Sequence, residues 1–151
     1  MCHVRIAKRA RDRRSCASFS TLIFSSRRQK TDGAVRRLVT HALDAGHECW
    51  VDDYVVIEAR RNLQAKGRDA LSVLDALLSV VRIGAAQVRL TPSNAIDCLP
   101  EKDRPVLAAA INLRCAALVT GDQKHFGTGY GKVFGGVMIH SPRSFAALIL
   151  R

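Results

Sequence analysis

The sequence predicts an α/β fold, a three-layer α/β/α sandwich with a mainly parallel central sheet. Three observations carry this. From Thr31 onward, short apolar runs of strand length alternate with longer runs whose apolar residues recur at helical spacing. Breaks fall between them, at Gly46, Pro100 and Gly121. The run AALVT is apolar up to its closing Thr120, as suits a strand buried on both faces, and it ends at Gly121-Asp122.

The elements follow in order. Asp32-Gly33 predicts a turn, and AVRRLVTHALDAG a helix with Val35, Leu38, Val39 and Leu43 on one face and Gly46 at its end. ECWV predicts a strand. Asp52 or Asp53 then caps the helix YVVIEARRNLQAKG, whose apolar face holds Val55, Val56, Ala59 and Leu63. ALSVLDALLSVV predicts a further helix and QVRL a strand. Pro100 breaks the chain before KDRPVLAAAINLR, a helix with Val106, Leu107, Ala110 and Ile111 on one side. After AALVT and a Gly-rich loop, GVMIH predicts a strand. SPRSFAALIL closes the chain as a helix capped by Ser141, with Pro142 at its first position. No internal repeat is present.

Composition bounds the function. A chain of 151 residues suits one domain, and a hydrophobic share of 48% excludes a disordered one. No apolar run approaches the roughly 18 residues needed to cross a membrane. The net charge of +11 is unevenly spread. Residues 1–30 hold nine Lys or Arg and only Asp12 as an acid, so +8; the rest holds 15 basic and 12 acidic residues, so +3. The charge is therefore a property of the first segment and argues little about what the folded part binds. Cys2, Cys16, Cys49, Cys98 and Cys115 form no CxxC pair, and the five histidines form no HxxxH pair, which argues against a zinc site. Cys49 and Cys115 read as small buried hydrophobes of a reducing cytoplasm.

Three acids sit where apolar faces meet element ends. Ligands of open parallel sheets gather beyond the carboxyl ends of strands, and Asp122 directly follows AALVTG. Asp103 opens its helix and shares the face of Val106 and Leu107 by i+3 and i+4 spacing. Glu58 lies three residues after Val55, inside the apolar stripe of its helix. Each has a plainer reading: Asp103 as a helix cap, Asp122 as a turn former, Glu58 as a solvated residue paired to Arg61 or Lys66. Spacing leaves open whether the three converge. Gathered carboxylates repel one another unless a cation neutralises them, and hard oxygen donors suit Mg²⁺ or Mn²⁺. Arg104, Lys124 and His125 flank the acids as candidate phosphate contacts, or as ordinary surface residues.

The stretch LPEKDRPVLAAAINLRCAALVTGDQKHFG followed by GVMIHSPRSF resembles the second half of a PIN domain, the fold of VapC-like toxin nucleases. DDYVVIEARRNL resembles the helix that carries the family's glutamate. The resemblance covers nearly all of 31–151, the expected PIN-like domain. It implies metal-ligand and catalytic roles for Glu58, Asp103 and Asp122, with a supporting hydroxyl from Thr120. It implies Mg²⁺ or Mn²⁺ as cofactor and an RNA substrate cleaved by metal-activated water. A toxin of this kind has a small antitoxin protein as partner, and dimers are common in the family. The alternative is a PIN-like module that no longer catalyses and only binds RNA or protein.

One part of the pattern is missing. PIN domains open with a strand ending in Asp, yet this chain has no acid between Asp12 and Asp32, and SFSTLIFSS offers only Ser20 or Thr21 there. With TCN serine codons, a frame taking the third base of one codon and the first two of the next permits Leu-Asp-Ala-Asn-Ile-Leu-Phe across 18–26. Residues 1–30 are thus expected to be a basic segment outside the domain, disordered or from a shifted reading frame.

Overall fold

The computed structural model describes residues 16–19, 30–65, 67–84, 96–97 and 99–150. Six strands form one sheet: β1 (Cys16–Phe19), β2 (Glu48–Asp52), β3 (Arg82–Gly84), β4 (Ala117–Val119), β5 (Val133–Phe134) and β6 (Val137–His140). Their order is β3-β2-β1-β4-β6-β5. Every neighbouring pair is parallel except β5–β6. That pair is a hairpin closed by Gly135-Gly136, both at positive φ (56° and 86°), the backbone a two-residue hairpin turn requires.

The helices are α1 (Lys30–Asp44), α2 (Asp53–Gln64), α3 (Arg68–Leu78), α4 (Arg104–Asn112), the single-turn α5 (Gln123–Phe126) and α6 (Pro142–Ile149). Strand alternation sorts them into two layers. Cys49, Val51, Ala117 and Val119 pack with Val35, Val39, Val55, Ala59, Leu74 and Phe145, from α1, α2, α3 and α6. Leu118, Val137 and Ile139 point the other way, onto Leu107 and Ala110 of α4 and Phe126 of α5. The expected α/β/α sandwich is therefore the observed fold.

Helix ends follow local chemistry. Gly46 at φ 84° stops α1, with His47 N–H donating to the Ala42 carbonyl and Gly46 N–H to that of Leu43. The same closure ends α4, but there the left-handed position is held by Arg114, at φ 55°. Ser141 caps α6, its Oγ accepting from Ser144 N–H at 3.1 Å.

Several local expectations shift. Asp32-Gly33 is no turn but part of the first turn of α1, where the first N–H groups need no partner within the helix. A strand, β3, follows α3 almost at once, at Arg82–Gly84, and the expected strand QVRL lies outside the described residues. The Gly-rich loop contains α5 and β5. β1, upstream of the domain boundary placed at residue 31, lies at the centre of the sheet, and the stretch SFSTLIFSS, where the missing opening acid was sought, meets it only at Ser18-Phe19. The rest of that stretch lies outside the described residues.

Candidate metal centre

The carboxyl ends of the parallel strands form one rim, and β4 delivers the chain to it. Thr120, fully buried, follows the strand, and its Oγ1 accepts from the Asp122 amide at 3.2 Å. That bond folds the Gly121 turn back on itself and sets Asp122 as the cap of α5. Asp122 Oδ1 accepts from His125 N–H at 3.2 Å. Its other oxygen, Oδ2, lies 2.5 Å from His125 Nδ1. Asp103 joins it from the end of the 3-10 turn Glu101–Asp103, directly before α4. Its Oδ2 stands 3.5 Å from the same His125 nitrogen.

Among the described residues, Asp103, Asp122 and His125 offer three ligand atoms within 4.8 Å of one another. Their side chains are only 14%, 9% and 19% exposed, so water screens them poorly. Asp103 Oδ2 is buried without a hydrogen-bond partner. An oxygen of this kind costs roughly 1–3 kcal/mol unless something positive meets it. The donor set fits a divalent cation: two hard carboxylates suit Mg²⁺ or Mn²⁺, and an imidazole nitrogen adds affinity for later transition metals. Tyr130 backs the site, its hydroxyl donating to the Thr120 carbonyl at 3.0 Å. Burial, then the charge of Asp122, pushes the Tyr130 pKa upward, which keeps that proton in place.

No protein-family model matches the sequence, and no curated protein is similar to it. Among solved structures, the chain is similar to one from the crystal structure of VapBC2 of Rickettsia felis bound to a DNA fragment from their promoter. The TM-score is 0.55 at 14% identity, over 83% of this chain and 98% of that one. The fold is PIN-like. At that identity the likeness is one of architecture, and the site must be judged on its own residues.

The PIN-like fold brings together two of the three expected acids, Asp103 and Asp122. Glu58 is not in their group; it is exposed on α2. The buried stripe of α2 is Val55, Val56, Ala59 and Leu63, and Glu58 stands roughly a third of a turn from its centre. The expectation that Glu58 lies within the stripe is thereby corrected: i+3 from Val55 places it on the stripe's far flank. Arg104 is turned back onto its own loop, with Nε donating to the Leu99 carbonyl at 3.1 Å and a guanidinium nitrogen 3.6 Å from Asp97. Lys124 is exposed on α5. His125, read from sequence as a flanking contact, is the third donor of the group. Its signal was the i+3 spacing from a capping Asp, which turns both side chains to one side. The sequence reading also passed over Asp52, taken as an alternative helix cap; it is a buried acid at the end of β2.

Proposed function

We propose that this chain is a metal-dependent endoribonuclease of PIN type, the toxin of a toxin–antitoxin pair held in check by a small protein partner. The carrying observation is the group of Asp103, Asp122 and His125 at the carboxyl rim, with one buried carboxylate oxygen that accepts no hydrogen bond. When bound there, Mg²⁺ or Mn²⁺ supplies positive charge for the scissile phosphate and for the attacking water. The chain's own residues do the rest. Asp103 and Asp122 would hold the cation with the His125 imidazole as the third donor, and Thr120 fixes the Asp122 backbone. In the hydrolysis the water oxygen bonds to phosphorus and the bond to a ribose oxygen breaks. One water proton passes to a carboxylate at the site, and the leaving oxygen takes up another from solvent.

Glu58 outside the donor group, and no acid in β1, favour the second reading, a PIN-like module that binds RNA or protein without cutting it. One experiment separates the two. The purified chain, and a version whose opening encodes the shifted-frame Asp, are incubated with RNA and Mg²⁺ or Mn²⁺. Cleavage that EDTA stops and Asp122→Asn removes supports the nuclease. RNA binding without cleavage in both proteins supports the binding module.

A further inference from the structure

Asp52 ends β2 at the position from which a side chain would cap α2, yet it makes no capping hydrogen bond. It is 4% exposed, and its Oδ1 has no hydrogen-bond partner. Burial pushes its pKa up to about 6. The Asp53 carboxyl beside it adds to the rise, and the nearby amides of Tyr54 and Asp53 offset only part of it. A charge so placed is costly without a compensating cation.

The strand register shows where it faces. Trp50 pairs with Ser18, and Ser18 with Leu118. Asp52 and Thr120, two residues further along their strands, therefore stand at one level on the rim. Cys49, Val51, Ala117 and Val119 pack on the α1 side of the sheet. Trp50 and Leu118 pack on the α4 side. By alternation Asp52 and Thr120 share that second face, where Asp103 precedes α4 and Asp122 follows Thr120. Two strand spacings separate the two backbones by about 10 Å. A direct ligand oxygen lies about 2 Å from Mg²⁺, and a carboxylate that reaches the ion through one water lies about 4 Å away. About 4 Å remain, roughly the reach of one aspartate side chain swung along the rim.

We infer that Asp52 is a further carboxylate of this cation site, holding the ion through a water and standing in for the acid that β1 lacks. The inference rests on the metal-centre reading above, and the test keeps the two apart. Mn²⁺ is titrated into the full chain and free ion is followed by its paramagnetic resonance signal, for wild type, Asp52→Asn, Asp52→Ser, Asp122→Asn and Asp69→Asn. Asp69, exposed on α3, is the control. Both Asp52 substitutions remove a buried charge, so the fold is retained. The expected result is about tenfold weaker Mn²⁺ affinity in both Asp52 variants, a larger loss in Asp122→Asn, and none in Asp69→Asn. Wild-type affinity in both Asp52 variants beside a weakened Asp122→Asn overturns the role of Asp52 alone. A wild-type chain that takes up no Mn²⁺ overturns the metal centre, and Asp52 with it.

Discussion

Replacing Asp52 with Asn in metal-free buffer should make the protein more stable at neutral pH and leave its acid stability much less changed. Burial, then the neighbouring Asp53 carboxyl, pushes the Asp52 pKa up from the ordinary 3.8 to about 6. Below about pH 4 both folded and unfolded chains hold the proton, so this group costs the fold nothing. As pH rises, the unfolded chain releases the proton first, and stability falls until the folded carboxyl has also ionised, above about pH 6. A pKa rise from 3.8 to about 6, at about 1.4 kcal/mol for each tenfold change in proton affinity, makes the full loss about 3 kcal/mol. For a domain of this size that is roughly 6–12 °C in melting temperature. Thermal melts of both proteins in EDTA, from about pH 4 to pH 8, read the difference directly, since all other groups titrate in both. The reasoning fails if the gap between variant and wild type is flat across that range, or widens toward acid.

Other perturbations follow from packing and helix ends. Leu107→Ala empties a fully buried position between α4 and β4 and should cost about 2–5 kcal/mol, seen as a lower urea midpoint. Arg114→Gly removes a side chain from a left-handed helix stop at φ 55° and should gain about 1 kcal/mol in the same assay. Ser141→Ala deletes the cap of α6 and should cost about 1 kcal/mol, with earlier amide exchange at Ser144.

Much of the fold was legible because its signals are local. α2, α4 and α6 follow apolar periodicity, and α6 also starts at its Ser141 cap, whereas the acids expected to cap α2 and α4 make no such bond. β3 and β5 are three and two residues long, too short for any period to register, and pairing with neighbours far along the chain makes them strands. β1 reads as CASF, a small, partly polar run whose strand state comes from its place between β2 and β4. At the site, Asp103 and Asp122 were legible from their position at element ends. His125 needed the capping geometry of α5. Asp52 needed the register of three strands, since its interest lies in what it faces across the sheet, and no spacing within its own segment reports that.

β1 also decides how the sheet can fail. It is the seam between β2–β3 on one side and β4–β6–β5 on the other, and among the described strands no other pairing joins the two halves. A chain begun at residue 31 would therefore lose far more than a charged leader. It would leave the inner flanks of β2 and β4 with bare amides and carbonyls, two fresh edges open to zip onto strands of other molecules. Four residues from the most irregular stretch of the sequence would then separate one continuous ladder from two open ones.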